Sequence, residues 1–317
     1  MSQRLCTRCH SPLEIEDLRC AVCALPTPKL SEAERPQEAV AQILRCNGCG
    51  AGVRYSAEVQ APRCDFCRSV MEVETPEDPV EQAELYLDFT VSDADARAAL
   101  KRWLGSKGFF RPSDLQQRAA VDGLKPLWWV GWMFDAEADV CWAADSEVGS
   151  GRSAWAPHSG RFSMDVDNVV VPASVGLTTQ ECRALVRSYD LGRTSAEPQG
   201  HPGATVEQFT VQRSAARKII SQTLEGVARA RAEPQVPGNR VRNLHVSVLP
   251  SKLSTRHMAF PAFVLAYRYR DTLYRAVVHG QDPGRVIGEA PLSWAKIAMV
   301  VGIGLAIIAL VVALVSS

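Results

Sequence analysis

Four closely spaced pairs of cysteines near the start of the chain constrain its fold more than any other feature of the sequence. Two CxxC pairs can surround one tetrahedral Zn²⁺ with four thiolates at about 2.3 Å. Segments this short bury too little apolar surface to fold alone, so the metal supplies most of their stability. We therefore predict two structural zinc ribbons, at residues 1–28 and 43–75, with two Zn²⁺ ions. Ten residues lie between the first pair and the second, and 14 lie between the third and the fourth. The predicted ligands are Cys6 and Cys9, Cys20 and Cys23, Cys46 and Cys49, Cys64 and Cys67.

The cysteine pairs leave alternatives open. They could instead form disulfides, an iron site of the rubredoxin type, or a cross-braced arrangement in which the pairs alternate between ions. His10, next to Cys9, is either a spare ligand or a solvated neighbour. A site with four cysteine ligands has no open coordination position, which argues against metal catalysis at either ribbon. Prolines and mixed charge predict a linker between the ribbons at residues 29–42.

The other end of the chain is uniformly apolar. Residues 297–315 contain no charged or strongly polar side chain over 19 positions. A helix of that length spans roughly 29 Å, close to the roughly 30 Å hydrocarbon core of a bilayer. The sequence therefore predicts one transmembrane helix, with a buried core helix as the alternative. Two serines follow it and no secretory signal is recognisable at the start, so we expect a tail-anchored protein.

Charge is balanced overall but segregated along the chain. Lys plus Arg number 35, as do Asp plus Glu, and residues 1–73 hold 9 of each sign. Residues 74–150 carry 15 acidic and 7 basic side chains (net −8), whereas residues 211–275 carry 12 basic and 3 acidic ones (net +9). The basic segment could contact lipid, nucleic acid or only solvent. Arg285 and Lys296 precede the apolar segment, which predicts that the bulk of the chain faces the cytoplasm at the cytoplasmic membrane.

The middle of the chain mixes helix and strand patterns. Residues 82–200 predict an α+β domain in which Ser92 caps a helix and an aromatic strand, LWWVGWMFDAEADV, follows. Residues 205–291 predict a second α+β region with a long helix over about 206–231 and then antiparallel strands. The patterns leave open whether these regions form one domain or two.

The sequence contains no recognisable catalytic arrangement. It has no GxxxxGK[ST] phosphate loop and no HExxH, GxSxG or GxGxxG motif, and its six histidines are scattered. Asp135, Glu137 and Asp139 alternate along the aromatic strand and therefore share one face of a sheet. That face is either a metal or acid–base site or an ordinary solvent face. We expect a protein that is not an enzyme.

Three features together point to a family. They are the four cysteine pairs, the strand WWVGWMFDAEA, and the stretch YRYRDTLYRAVVHGQDPGRVIGEAPLSWAK, in which Gly284, Gly288 and Pro291 carry a GxxxGxxP pattern. In these features the chain resembles the bacterial membrane-anchored double zinc-ribbon (TFIIB-type zinc-ribbon) proteins, which are often mislabelled as primosomal-helicase-like. The resemblance implies a non-catalytic adaptor that acts with phage-shock-type or flotillin-like proteins at the membrane.

We therefore predict an α+β protein with two N-terminal zinc ribbons, an antiparallel-sheet-plus-helix body and one C-terminal transmembrane helix. Its expected function is that of a tail-anchored, cytoplasm-facing adaptor or scaffold, which recruits protein partners to the membrane in membrane-stress or membrane-remodelling assemblies. The alternative is a membrane-tethered regulator that binds nucleic acid through its ribbons. The balanced charge of the ribbons gives this alternative no phosphate-attracting field.

Overall fold

The computed structural model describes most of the chain, in segments separated by short gaps. The predicted linker at residues 29–42 lies outside the described residues. The described segments are residues 4–13, 17–27, 43–54, 63–74, 81–106, 108, 110–112, 114–115, 123–148, 154–201, 203–269 and 272–315.

Strands and helices both contribute to the described part of the chain, which confirms a mixed α+β fold with antiparallel sheets. The strands are β1 (Arg4–Leu5), β2 (Pro12–Leu13), β3 (Ile43–Cys46), β4 (Gly52–Arg54), β5 (Met71–Glu74), β6 (Leu85–Leu87), β7 (Lys125–Glu147), β8 (Trp155–Pro172), β9 (Thr194–Ser195), β10 (Thr205–Val206), β11 (Val241–Tyr269), β12 (Thr272–His279) and β13 (Val286–Gly288). The α-helices are α1 (Asp93–Gly105), α2 (Thr179–Val186), α3 (Arg213–Ala232) and α4 (Trp294–Val315).

One sheet forms the body of the protein. Its long strands β7 and β11 lie antiparallel at the centre, paired from Ser146 opposite Val241 to Lys125 opposite Val264. On its other edge β7 pairs with β8 and with the short β10, while β11 pairs with β6 and β12. β13 extends the sheet beyond β12. The sheet therefore takes strands from both of the regions in which the sequence predicts α+β structure.

The aromatic run at the start of β7 is buried on both faces of the sheet. Trp128 and Trp132 point into a core shared with α1 and α3, while Leu127, Trp129 and Met133 point into a second core on the opposite face. Beyond this run, β7 alternates between buried and exposed side chains. The change from a continuous apolar run to alternation marks the point at which the second face becomes exposed to solvent.

Helices α1 and α3 cover the same face of the sheet. Helix α1 begins after Ser92, whose Oγ accepts a hydrogen bond from the backbone N–H of Asp95 at 3.2 Å, which confirms the predicted cap. Helix α3 begins at Arg213, later than predicted, because Thr205–Val206 pairs with β7 as β10. The apolar stripe of α3 packs along β7 and β8. It buries the face of these strands that points towards the helix, beyond the aromatic run of β7.

Ion pairs between β7 and β11 neutralise much of the segregated charge. They lie on the face of the sheet opposite α3, where the carboxylates of β7 alternate with buried residues. Each partly exposed pair contributes about 0–1 kcal/mol. The acidic and basic segments of the sequence are thus neighbouring strands of one sheet. Four pairs have N···O distances of 2.6–3.5 Å: Asp135 with Arg256, Glu137 with Lys252, Asp145 with Arg242, and Glu147 with Arg240.

The second cysteine-rich segment (residues 43–54 and 63–74) packs directly on the sheet and supplies the cover for the second core. Phe66 lies over Gly176 so closely that a Cβ atom at that glycine would be 2.3 Å from the ring. Arg68 donates hydrogen bonds to the carbonyl oxygens of Gly123 and Ala266, both at 3.4 Å. This segment, together with α2 and Tyr189, therefore explains why the aromatic run of β7 is buried on both faces.

The first cysteine-rich segment (residues 4–13 and 17–27) lies beside β11 and the start of α3. The Asp17 carboxylate is 4% exposed and pairs with two nitrogens of Arg217, at 2.7 and 3.2 Å. Ser11 Oγ accepts a hydrogen bond from the backbone N–H of Leu253 at 3.4 Å. Around Leu253, no described strand pairs with this edge of β11. The segment therefore shields an edge that could otherwise pair with another chain.

Residues 289–293 connect β13 to helix α4, and hydrogen bonds hold this connection to the body. The backbone N–H of Ser293 donates to the carbonyl oxygen of Phe110 at 2.8 Å, and Lys296 Nζ donates to that of Arg111 at 2.8 Å. Arg111 in turn donates to the carbonyl oxygen of Pro291 at 3.0 Å. Three hydrogen bonds therefore hold the start of the helix, and the residues just before it, to the loop that follows α1.

The described part of the chain contains no helix that is both long enough and apolar enough to cross a membrane. The predicted span at residues 297–315 lies within α4 and gains no support from that result. It stays a prediction.

Phe66 offers a test of the contact between the second cysteine-rich segment and the sheet. We expect Phe66→Ala to lower the free energy of unfolding by about 3–5 kcal/mol, because it leaves a cavity between the segment and Gly176. Val70→Ala, at an exposed site of the same segment, is the matched control and should change it by less than about 0.5 kcal/mol. Urea unfolding followed by tryptophan fluorescence measures both. Equal effects would show that the contact contributes nothing specific.

Candidate metal centres

The structure brings the eight paired cysteines into two clusters of four, divided as the sequence spacing predicts. The four sulfurs of each cluster lie within 4.8 Å of one another. Sulfurs placed tetrahedrally about 2.3 Å from one ion would be about 3.8 Å apart, so each cluster could hold a zinc ion. The measured Sγ–Sγ distances are 3.6 Å for Cys6 and Cys23, 3.5 Å for Cys9 and Cys20, 3.3 Å for Cys46 and Cys67, and 3.7 Å for Cys49 and Cys64.

The same backbone turn positions all four CxxC pairs. In each turn the first cysteine accepts a backbone hydrogen bond from the residue four positions later and donates one to the residue five positions later, at 2.8–3.0 Å. The residue four positions after the first cysteine adopts the left-handed conformation, which only glycine adopts without strain. The turn directs both sulfurs of a pair to the same side. The four left-handed residues are His10 (φ 56°), Ala24 (φ 55°), Gly50 (φ 75°) and Arg68 (φ 65°).

The turns, the clusters and the state of the thiols together decide between several of the alternatives that the sequence left open. His10 occupies the left-handed position of its turn, and its ring belongs to neither ligand cluster. All ten cysteines are free thiols, so the paired cysteines form no disulfides. Consecutive pairs share a cluster, so the predicted sequential ribbons are favoured over a cross-braced arrangement. Zinc and iron both accept a set of four thiolates.

Backbone N–H groups stabilise negative charge on the sulfurs. Hydrogen bonds from the backbone N–H groups of Cys9 and Arg8 lower the pKa of Cys6 to about 6. In the second cluster the backbone N–H of Gly48 donates to Cys46 Sγ at 3.3 Å. Because the thiolate is the form that binds a metal, these contacts favour binding at Cys6, whereas burial raises the pKa of Cys49 to about 11.

The two clusters differ in their connection to the body. Cys46 and Cys64 belong to the same apolar core as Trp129 and Leu177 of the body. The first cluster shares no apolar core with the sheet among the described residues, and its segment is held by the ion pair of Asp17. A metal in the second cluster is therefore tied to the stability of the body, whereas a metal in the first is tied mainly to its own segment.

A buried carboxylate lies where the second ribbon meets the body. Glu207 is 2% exposed, and its carboxylate accepts hydrogen bonds from Ser174 Oγ at 2.8 Å and from the backbone N–H of Gly176 at 3.0 Å. Its backbone forms a β-bridge with Val53 of the ribbon. Burial raises the pKa of Glu207 to about 7, so its charge changes near neutral pH at this contact.

No pattern in the sequence marked Glu207, or His279, a second buried titratable residue elsewhere in the body. Glu207 follows a two-residue strand in a stretch that reads as an ordinary polar loop. His279 ends β12, and its Nδ1 accepts hydrogen bonds from the backbone N–H groups of Gln281 and Asp282, both at 3.0 Å. Burial lowers the pKa of His279 to about 4. Both residues are buried by segments distant in sequence, which no local pattern can indicate.

The carboxylates of β7 form no site of their own. Asp135 and Glu137 lie on the outer face of the sheet in ion pairs, and Asp139 accepts a hydrogen bond from Ser163 Oγ at 2.7 Å. Among the described residues, only the two cysteine clusters bring together three or more potential metal ligands. These carboxylates are therefore the ordinary solvent face of a sheet.

The basic strand near the end of the body is partly committed to internal contacts. Arg275 pairs with Glu181 and donates to the carbonyl oxygen of Gly176 at 2.6 Å. Residue 270 and the side chain of residue 268, which the sequence would place on the same exposed face, lie outside the described residues. Arg275 thus serves to join β12 to α2.

Comparisons of the chain with protein-family models, with curated proteins and with solved structures each find no match. The two cysteine clusters are consistent with zinc-ribbon-like sites. The resemblance to the membrane-anchored double zinc-ribbon proteins rests on the sequence motifs and stays a prediction.

Loss of each metal site should have a different structural effect. We expect Cys46→Ser with Cys49→Ser, and equally Cys6→Ser with Cys9→Ser, to reduce bound zinc from two ions per chain to one. Only the first pair of substitutions should also destabilise the body, by about 3 kcal/mol or more, because the second cluster shares its apolar core. Elemental analysis counts the metal, and urea unfolding measures stability. Unchanged zinc content in either variant would contradict the metal assignment.

Glu207 should make stability depend on pH near neutrality. Its pKa is higher in the folded protein, about 7, than the 4.5 of an unperturbed glutamate. The folded state therefore binds a proton more tightly, and stability falls as pH rises from about 4.5 to 7. Glu207→Gln should remove a cost of up to about 3 kcal/mol above pH 7. Urea unfolding at pH 6 and pH 8 measures the difference.

The control for Glu207→Gln is Glu137→Gln, at a half-exposed ion pair on the outer face of the sheet. We expect that variant to follow the wild-type pH dependence to within about 0.5 kcal/mol. The burial of His279 acts in the opposite direction, because its lowered pKa costs stability as pH falls from 6.5 towards 4. A comparison restricted to pH 6 and above therefore reports mainly on Glu207. If the free energy of unfolding changed with pH in the same way for wild type and Glu207→Gln, the raised pKa assigned to Glu207 would be wrong.

Proposed function

We propose that this protein is a single-pass, tail-anchored adaptor of the cytoplasmic membrane, whose first zinc ribbon recruits a protein partner. The observation that carries the proposal is the exposure of α4. Its exposed residues point in all directions around the helix at about 100° per residue. A helix that is apolar on every side belongs in a bilayer or in the interior of a large protein. The large apolar side chains exposed along it are Met299, Val300, Val301, Ile303, Leu305, Ile307, Ile308 and Val311.

The orientation follows from charge and from the thiols. Lys296 and Arg285 precede the apolar segment, and positive residues favour the cytoplasmic side of a membrane. Cysteine clusters that bind metal as thiolates require a reducing compartment, which the cytoplasm provides. Both arguments support a cytoplasmic location for the ribbons and the sheet.

The ribbons support a role in binding and not in catalysis. A cluster with four cysteine ligands leaves a bound zinc no position for water or substrate, so the ion is structural. The second ribbon uses its apolar surface to cover the sheet. The first ribbon keeps a groove of about 200 Å³, lined in part by Leu5, Leu13, Leu25 and Pro26. That groove is the surface we assign to the partner.

A protein partner fits this surface better than a nucleic acid. Among the described residues, the groove is lined mainly by apolar side chains, with Arg4 as the single charged one. Residues 1–73 have no net charge, and Arg217 beside the first ribbon is committed to Asp17. Nucleic-acid binding depends on unpaired positive charge, which this ribbon does not concentrate. The resemblance to double zinc-ribbon proteins makes phage-shock-type and flotillin-like proteins the first partners to test.

The experiment is affinity purification of the full chain from detergent-solubilised membranes, with co-purifying protein and nucleic acid both quantified. We expect a stoichiometric protein partner that is lost at least tenfold in Leu5→Glu, which places a charge in the groove while both zinc ions stay bound. Val70→Glu makes the matched change at an exposed apolar site of the second ribbon and should retain the partner. Deletion of residues 297–317 should move the protein from membranes to the soluble fraction.

Two outcomes would overturn the proposal. Nucleic acid retained by the wild type and lost with Cys6→Ser and Cys9→Ser would favour the membrane-tethered regulator. Release of the full chain from membranes by sodium carbonate, which strips peripheral proteins, would contradict the anchor.

A further inference from the structure

Three large apolar side chains are exposed at the point at which α4 joins the body. Trp294 is 76% exposed, Leu292 is 50% exposed and Phe110 is 42% exposed. Hydrogen bonds hold these residues close together, because Ser293 donates to the carbonyl oxygen of Phe110. The charged side chains of Arg111 and Lys296 lie in the same contact. We call Phe110, Leu292 and Trp294 the apolar foot.

The position of the foot along the helix axis can be estimated from helix geometry. Ser293 precedes residue 297, where the uninterrupted apolar sequence begins, by four residues. At 1.5 Å per residue this is about 6 Å along the axis. The polar layer on each side of a bilayer is roughly 5–8 Å thick, as the difference between a total of 40–45 Å and a core of 30 Å. If the core encloses residues 297–315, the foot therefore lies within the headgroup layer.

The chemistry of the foot suits that layer. Tryptophan and other aromatic side chains are favoured at the boundary between headgroups and acyl chains, and basic side chains beside them face lipid phosphates. The hydrogen bonds of Ser293, Lys296 and Arg111 tie the foot to the loop after α1, which leaves little freedom to swing the body away from the bilayer. In water these apolar side chains would form an exposed patch with no evident purpose.

We infer that the apolar foot of Phe110, Leu292 and Trp294 is a membrane-contact surface, inserted into the headgroup layer of a phospholipid bilayer, which fixes the orientation of the body on the membrane. The inference rests on the proposed anchor and adds to it. A simple tail anchor would let the body move freely on a tether, whereas this contact holds the loop after α1 against the lipid. The sheet then extends from a defined position at the membrane.

The test places a photoreactive benzophenone amino acid at one position at a time in the full chain, reconstituted in nanodiscs of phosphatidylethanolamine and phosphatidylglycerol. Position 110 reports on the foot, position 300 on the interior of α4, and position 249 on the exposed surface of β11. Tyr267 lies beside the connection to α4, because its hydroxyl donates to the carbonyl oxygen of Glu289 at 3.0 Å. Leu249 precedes Tyr267 by 18 residues, or about 60 Å along the strand, so it is the distant control. Intact mass after illumination counts covalent lipid adducts, and two bound zinc ions verify folding.

We expect lipid adducts at positions 110 and 300 and at least tenfold fewer at position 249. Adducts at position 300 without adducts at 110 would overturn the inference and leave the anchor standing. Absence of adducts at both positions would contradict the anchor itself. In a second measurement, Phe110→Asp should reduce adducts from a benzophenone at position 292 at least fivefold, because a carboxylate resists insertion, and should leave position 300 unchanged. An unchanged yield at position 292 would contradict a contact that depends on Phe110.

Discussion

Burial of the aromatic run of β7 on both faces of the sheet is the constraint on which the rest of the structure depends. One face is covered by α1 and α3, which are ordinary amphipathic helices. The other face is covered in part by the short helix α2 and Tyr189, and the second cysteine-rich segment completes the cover with Phe66 and the cysteines Cys46 and Cys64. A small cysteine-rich domain thus becomes part of the core of a larger one. A metal bound by its cluster and the sheet would stabilise each other through this contact.

The same sheet accounts for the uneven charge of the sequence. Strands β7 and β11 are antiparallel neighbours, so the carboxylates of one face the basic side chains of the other in pairs such as Glu137 with Lys252. Part of the charge that looks like a signal for an external ligand when it is read along the chain is neutralised within the protein. Under the proposed function, the positive residues that matter are those near α4, because an anchored helix would bring them beside a membrane.

The two ribbons have different consequences for function although their cysteine turns are alike. The second is committed to the body through Phe66 and Arg68, whereas the first is held at the edge of β11 by Asp17 and keeps an apolar groove. Leu253, where the first ribbon contacts β11, precedes Tyr269 by 16 residues, or about 50 Å along the strand. With the foot of α4 on a bilayer, β11 would connect a membrane contact at one end with a partner-binding ribbon far along its length.

The sequence by itself determined the features that depend on short spacings. The CxxC intervals set which cysteines cluster, Ser92 set the start of α1, and the period of the apolar residues set the outward face of Asp135 and Glu137. Only the tertiary structure decided that a ribbon covers the sheet, that Glu207 is buried beneath it, and that acidic and basic segments pair. Those contacts join residues far apart in the chain, and their geometry depends on the shape of the whole sheet. A local pattern records the preference of a few neighbouring residues and carries no information about such partners.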